Sequence, residues 1–434
     1  MADGQKLEQG LSGGDSPEVG AKTNAKQNQP YMALSAQQIT EEVLGLYPNL
    51  LNTYYQLHAH PELSFQEWQT AEMIAARLRS EQIDFRPIAG SGLLAKIEGR
   101  AEGADLGKAI VLRADIDALP IEEHNNIPYA SANKGVMHAC GHDLHATIVL
   151  GAITLLSKHL DTIGCTIFAL FQPGEELNPG GAKLVLEDNP FEGYEIVAFI
   201  GNHAEPTLPT GTLGICPGKY MAACDELHFT LRGKGGHAAL REGMIDPILP
   251  TAQLIEQLYT LPNLAPEDVG QTIISIGKIE AKGATNIVPD SVRLEGTMRT
   301  FDPLWRATLK KTIDYLCRQI EGQAEGLTID NNFGEGYPAV YNDPSLAHEV
   351  GRVLGEVFEV VELGPRPTGE DFGYYTEHYP SLFYRLGVGY TGDDFASKRA
   401  GSLHTSTFSP DPKAIGIGVA AMAIVGTKLA TQTK

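Results

Sequence analysis

The chain has 434 residues, 42% of them hydrophobic and 20% charged, the balance of an ordinary globular protein with room for two or three domains. Its 33 Lys and Arg face 54 Asp and Glu, and the net charge of −21 repels phosphate backbones and argues against a nucleic-acid partner. No run approaches the roughly 20 apolar residues of a membrane span, and five scattered cysteines predict reduced thiols in a cytoplasmic enzyme rather than a disulfide framework.

Residues 1–34, rich in Gly, Gln, Ser and Pro and without an apolar signal segment, are expected to form a disordered leader. Helical spacing of apolar residues begins near Ser35 in "SAQQITEEVLGLYPNLLNTYYQLHAHPEL" and recurs in "FQEWQTAEMIAARLRSEQ". Three strand-length runs follow, "AIVLRADID" (109–117), "CTIFALFQPGEE" (165–176) and "EIVAFIGNHAEP" (195–206), each ending abruptly in side chains that can bind metal. Between the first two, "DLHATIVLGAITLLSKHL" reads as a helix with Asp143 as its N-cap. Apolar strands alternating with helices predict an α/β fold whose mainly parallel mixed sheet is covered on both faces. A ligand site is then expected beyond the carboxyl ends of the strands.

The pattern changes near residue 222. "DELHFTLRGKG" alternates like a half-buried strand, "DPILPTAQLIEQLYTL" is helical, and the strands "QTIISIGKIEA" and "DSVRLEGTMRTF" precede the amphipathic "PLWRATLKKTIDYLCRQIEGQ" and a last strand, "LTIDNNF". The order β-α-β-β-α-β predicts a ferredoxin-like α+β unit with helices on one face of an antiparallel sheet. The expected division is a catalytic domain in two parts, 35–217 and 336–434, interrupted by an inserted domain at 218–335. The second catalytic part contains the helix "SLAHEVGRVLGEVF", the strand "SLFYRLGVG" and a closing helix near "PKAIGIGVAAMAIVGTKLA".

"MHACGHDLH" (137–145) puts one thiol and three imidazoles into nine positions. Cys140 and His142, one residue apart in a Gly-containing turn, can face a single point and suit a transition ion. A buried thiol beside a polar turn is the plainer alternative. Glu175 and Glu176 follow a Pro-Gly turn; adjacent carboxylates there are either solvated or divided between a metal ligand and a proton acceptor. His203 in "GNHAEP" and His404 in "GSLHTSTF" also follow strand-like runs, and either alone reads as structural. Four separate segments offering ligands at strand ends point to one shared metal centre.

Eight segments carry a resemblance to the M20 metallopeptidase family, and within it to the amidohydrolase branch of hippurate hydrolases, aminoacylases and auxin-conjugate hydrolases. They are "HPELSFQE" (60–67), "LRADIDALPI" (112–121), "MHACGHDLH" (137–145), "FQPGEE" (171–176), "GKGGHAA" (233–239), "NIVPDSVRLEGTMRTF" (286–301), "GEDF" (369–372) and "LHTSTF" (403–408), in the family's order. Gly174 stands where Ala is usual, and "LREGM" (240–244) departs from the commoner Pro-His-containing stretch.

The resemblance implies metal ligands Cys140, His142, Glu176, His203 and His404, holding two divalent ions per subunit (Zn, Mn, Co or Ni). It implies Glu175 as general base toward a metal-activated water and Asp117 as the aspartate that orients a ligand. Where the wider family has His two positions before that aspartate, this chain has Asp115; His203 stands where other branches often use a carboxylate. His237 would stabilise the tetrahedral oxyanion across the interface of a homodimer built through the inserted domain. Asn286 and Arg299 would bind substrate, Arg299 by a bidentate contact with a free carboxylate, and Glu370 and Asp371 would shape the pocket. The expected activity is hydrolysis of small N-acyl amino acids to a carboxylic acid and an amino acid, with no nucleic-acid or membrane partner. A dipeptidase or carboxypeptidase of the same family is the alternative within the class. A catalytically inactive binding relative is the alternative outside it, although such proteins typically lose a ligand or the base, and this chain retains both.

Overall fold

Runs of Val, Ile, Leu, Ala and Phe form the strands Thr166–Gln172, Lys108–Asp115, Glu195–Pro209 and Ser381–Gly389, which lie side by side and parallel in the middle of an eight-stranded sheet. The computed structural model describes residues 34–334, 336–392 and 400–432, so nearly all of the expected leader lies outside the described residues. The pleat sends Ile110, Leu112 and Ala114 into one hydrophobic cluster and Ala109 and Val111 into the other, so both faces are buried and the strand reads as a continuous apolar run. The outer strands are mixed in direction. Gly92–Glu98 runs antiparallel to Thr166–Gln172 and forms a hairpin with the edge strand Asp84–Ile88. On the other side Thr212–Ile215 is antiparallel to Ser381–Gly389, and Glu359–Glu362 is parallel to Thr212–Ile215. The edge strand "DFRPI" has no apolar run and carries Pro87, a residue that an edge tolerates because no neighbour needs its N–H.

Helices Ala36–Ala59, His142–Ser157 and Lys413–Gln432 pack against one another on one face. The first starts at a capping box, with Ser35 and Gln38 satisfying each other's backbone N–H. Lys413–Thr431 corrects the expectation about apolar runs: its mean hydropathy of 1.7 makes it long and apolar enough to cross a membrane, yet 78% of that stretch is buried inside the chain. A helix enclosed by a sheet and two other helices is apolar all round for the same reason as a spanning one.

The second expected unit is also present. Strands Ile273–Ala281, Ser291–Thr300, Ala223–Arg232 and Thr328–Phe333 form an antiparallel sheet in that order. Helices Ile248–Thr260 and Pro303–Glu321 share a core with its inward residues, including Leu227, Phe229, Leu231, Leu254, Ile313 and Leu309. Residues on Ala223–Arg232 alternate, so Cys224, Glu226 and His228 face away from that core. A two-stranded ribbon, Gly218–Met221 paired with Val340–Asn342, carries the chain out to this sheet and back.

Candidate metal centre

Side chains from four segments converge, with Glu176 just past the end of Thr166–Gln172, Cys140 and His142 at the start of a helix, and His203 within Glu195–Pro209. Cys140 Sγ lies 3.2 Å from His203 Nε2 and 3.3 Å from His404 Nε2, while Glu176 Oε1 lies 3.3 Å from His404 Nε2 and 3.8 Å from His142 Nε2. Bonds of about 2.0–2.3 Å from a central ion place its ligands roughly 3–4 Å from one another, which matches these separations. His142 Nε2 and Glu176 Oε1 are buried and neither makes a hydrogen bond. Orphaned polar atoms of this kind are costly unless a ligand occupies the space between them. A thiolate, three imidazoles and a carboxylate fit a divalent transition ion.

The surrounding groups fix which nitrogen each histidine presents. His142 donates from Nδ1 to Asp117 Oδ1 at 3.0 Å, leaving Nε2 as the free lone pair. Asp117 also accepts from Ser64 Oγ at 2.6 Å and from the Glu176 backbone N–H at 3.0 Å. Burial alone would raise the Asp117 carboxyl, but the bonds from His142 and Ser64 hold it below the usual carboxylate range. His203 donates from Nδ1 to the Ala204 carbonyl at 2.8 Å and so turns Nε2 toward Cys140. His404 sits in left-handed backbone at φ 59°, held by its N–H to the Ala139 carbonyl at 2.8 Å.

Asp115 has a different task. Its Oδ1 accepts from His145 Nδ1 at 2.6 Å and its Oδ2 from Arg113 Nη1 at 2.7 Å, and Oδ2 also lies 3.7 Å from His142 Nε2. His145 Nε2 in turn accepts the Ala204 N–H at 2.8 Å, which anchors the segment carrying His203. Arg113 is fully buried and also reaches Gln172 at 3.0 Å, Glu370 at 3.0 Å and Asp371 at 2.8 Å. Glu370, 2% exposed and paired with Arg113, sets its carboxylate within 4.8 Å of those of Glu175 and Asp371. Asp371 is likewise tied up, accepting from Gln172 Nε2 at 2.7 Å and the Ala182 N–H at 2.9 Å.

Glu175 is 6% exposed, and its carboxylate lies within 4.8 Å of ligand atoms of both His142 and Glu176. Burial, then the neighbouring Glu370, Glu176 and Asp371 carboxylates, push Glu175 well above the usual carboxylate range. A bound cation acts in the opposite direction. In front of Glu175 and Glu176 opens a cavity of about 220 Å³, whose far wall is Arg299, Cys224 and Thr297 of the second sheet. Arg299 makes no ion pair among the described residues. His237 and Asn286 are not brought to this cluster within one chain. Both are exposed on a small ribbon where Gly236–His237 pairs with Ile287–Val288, and the Ala238 N–H bonds the Asn286 carbonyl at 2.9 Å.

Residues 111–425 match the description of peptidase family M20/M25/M40. The chain belongs to this family. Over 345 residues it is 40% identical to the N-acetyl-L-cysteine deacetylase of Bacillus subtilis, covering 79% of this chain and 81% of that one. It is 33% identical to thermostable carboxypeptidase 1 of Saccharolobus solfataricus, covering 87% and 94%. Its fold superposes on the crystal structure of a Bacillus subtilis dinuclear metal-binding peptidase from the M20 family with a TM-score of 0.75 and 31% identity, covering 89% and 99%. Like its relatives in M20/M25/M40, the chain is a metal-dependent hydrolase of amide bonds.

Of the motif histidines in this M20 chain, sequence reasoning assigned a task only to His142. His138 is buried and neutral, its pKa pushed down to about 4 by burial, and His145 is the anchor of the His203 segment. Arg113 carried a usable signal, a cation inside an apolar strand run, which requires buried carboxylates to meet it. The expected N-cap Asp143 is corrected to Gly141, because the Asp143 carboxylate is taken by His58 Nδ1 at 2.7 Å and lies in the first helical turn. Gly141 has φ 89°, and a Cβ there would stand 3.2 Å from Ala204 Cβ. The variant Gly141→Ala is expected to lose about 1–2 kcal/mol of stability through the left-handed backbone alone. It should also bind metal more weakly, because Gly141 separates two ligands. Chemical denaturation and metal titration of the purified variant check both effects; unchanged values would refute the role given to this turn.

Proposed function

We propose that this chain is a metal-dependent amidohydrolase that cleaves N-acyl amino acids into a carboxylic acid and a free amino acid. The observation that carries the reading is the orphaned pair His142 Nε2 and Glu176 Oε1, ringed by Cys140, His203 and His404, with Glu175 beside it and Arg299 across the cavity. The name of the Bacillus subtilis N-acetyl-L-cysteine deacetylase supports the acyl amino acid class. The ligands divide into overlapping groups, Cys140 with His142 and His203, and Cys140 with Glu176 and His404, which supports two ions per subunit drawn from Zn, Mn, Co or Ni.

Bound divalent ions supply Lewis acidity toward the amide carbonyl and make water acidic enough to attack at neutral pH. Glu175 accepts the proton of the attacking water and returns it to the departing nitrogen. Asp117 keeps His142 in the tautomer that presents Nε2, and Arg299 holds the free carboxylate of the amino-acid half by its planar fork. His237 and Asn286 act on the site of a second copy, with His237 donating to the oxyanion. The domain division at 218–335, the inserted unit serving as dimer contact and lid, accounts for this arrangement. Support for a homodimer comes from Ile273–Ala281, an edge strand of the second sheet, beside the exposed side chains of Ile279, Leu249 and Tyr259. Five free cysteines suit a reducing cytoplasm.

Turnover of N-acetyl and N-benzoyl amino acids against free dipeptides tests the assignment. Similarity to the Saccharolobus solfataricus carboxypeptidase keeps the peptide reading in play, because a peptide is also an amide with a free carboxylate. Hydrolysis of dipeptides alone would replace the acyl reading with the peptidase one. Mixing His237→Ala with Glu175→Gln subunits is expected to restore activity through hybrid dimers carrying one intact site. Absence of recovery after verified subunit exchange would count against the shared site.

A further inference from the structure

We infer that the cavity selects the N-acyl derivative of a basic amino acid, with Glu226 receiving the side-chain cation. The inference rests on the amidohydrolase reading and adds to it the class of the amino-acid half. Two neighbouring strands supply the far wall of the cavity, and their register sets its chemistry. Arg299 pairs directly with Cys224, and Thr297 with Glu226. All four project from the sheet face turned away from the helices, and all four line the cavity. They form a two-by-two block with Arg299 and Glu226 at opposite corners, a diagonal of roughly 7–8 Å between backbone positions.

The charges in this block are available. Arg299 makes no ion pair among the described residues. Glu226 is 57% exposed and its ion-pair partner among the described residues is His228, at 3.1 Å. The adjacent Asp225 points to the other face, where Arg306 and Lys310 hold it at 2.7 Å each. Asp225 also borders the cavity but is neutralised by these two cations, so among the described residues Glu226, with a single histidine partner, is the carboxylate on this wall left to meet a ligand cation.

The rest of the lining agrees. No aliphatic side chain lines the cavity among the described residues, and its neutral members include Asn178, Thr297 and Tyr337. A leucine or phenylalanine side chain gains little from such a wall, since stabilisation by burial needs apolar area on both partners. An amino acid anchored by its carboxylate at Arg299 directs its side chain along the diagonal. The flexible four-carbon stem of a lysine can follow it and set its ammonium at Glu226.

The test uses the metal-loaded full chain with N-acetyl-L-lysine, N-acetyl-L-norleucine, which has the same length without the charge, and N-acetyl-L-glutamate. An exposed ion pair is expected to favour lysine over norleucine by about fivefold in kcat/KM, with glutamate the poorest of the three. Glu226→Gln should bring the lysine-to-norleucine ratio close to one, and Glu226→Lys should raise glutamate above lysine. A loss of folding would change all three rates together and leave the ratios intact, so an unchanged ratio in both variants overturns the assignment. Norleucine matching or exceeding lysine in the wild type overturns it too, while upholding the amidohydrolase reading. Failure to cleave any N-acetyl amino acid would sink both.

Discussion

Glu175→Gln is expected to keep its metal and lose about 10²- to 10⁴-fold in kcat, the contribution of a positioned general base. Glutamine preserves the shape and the burial but cannot accept a proton. Glu175 is not the glutamate whose oxygen lies against the histidine ligands; that atom is Glu176 Oε1, 3.3 Å from His404 and 3.8 Å from His142. Glu176→Gln is therefore expected to bind metal far more weakly and to be inactive for that reason. Metal content after dialysis, measured beside single-substrate kinetics, separates the two variants. If Glu175→Gln emerged metal-free and Glu176→Gln fully loaded, the roles would have to be exchanged.

Arg113→Met is expected to cost about 3–5 kcal/mol of folding stability, because removing one partner of a buried ion network leaves its opposite charges uncompensated. Arg113 is fully buried and contacts the carboxylates of Asp115, Glu370 and Asp371 within 3.0 Å. Burial pushes Asp371 well above the usual carboxylate range, while Arg113 pulls it back; burial likewise raises Glu370. A carboxyl whose folded pKa exceeds its unfolded value binds more protons when folded, so stability falls as pH rises through that interval. Loss of Arg113 strengthens this effect, and the deficit of the variant relative to wild type should shrink from about pH 8 to about pH 5. Urea unfolding at several pH values measures it. A deficit below about 1 kcal/mol, or one that grows in acid, would show that Arg113 does not hold the network together.

The five expected ligand residues could be picked out in the sequence because metal chemistry restricts residue types, and the structure brings their donor atoms close together. His142 and Glu176 are the clearest case, meeting through Nε2 and Oε1 although 34 positions separate them in the chain. Glu370 was harder to read. Its place beside Asp371 in "GEDF" suggested a pocket wall, and the direction of its side chain depends on Arg113, 257 positions away, a partner no local pattern reveals. The function of His145 was hidden for a similar reason, since its partner on the His203 side is a backbone N–H, which has no signature in sequence. His237 and Asn286 were tied to the site only by resemblance, and within one chain they remain exposed on their ribbon.

By itself the sequence determined the alternation of strands and helices, the ferredoxin-like order of the second unit and the residues able to bind metal. These depend on local periodicity and on the donor chemistry of single side chains, both of which survive in a one-dimensional string. Only the tertiary structure decided which imidazole nitrogen faces the centre, that Asp115 serves Arg113 and His145, and that Arg299 and Glu226 share one wall. Those outcomes depend on hydrogen-bond direction and on cross-strand register between segments distant in the chain, and neither is defined until the segments pack.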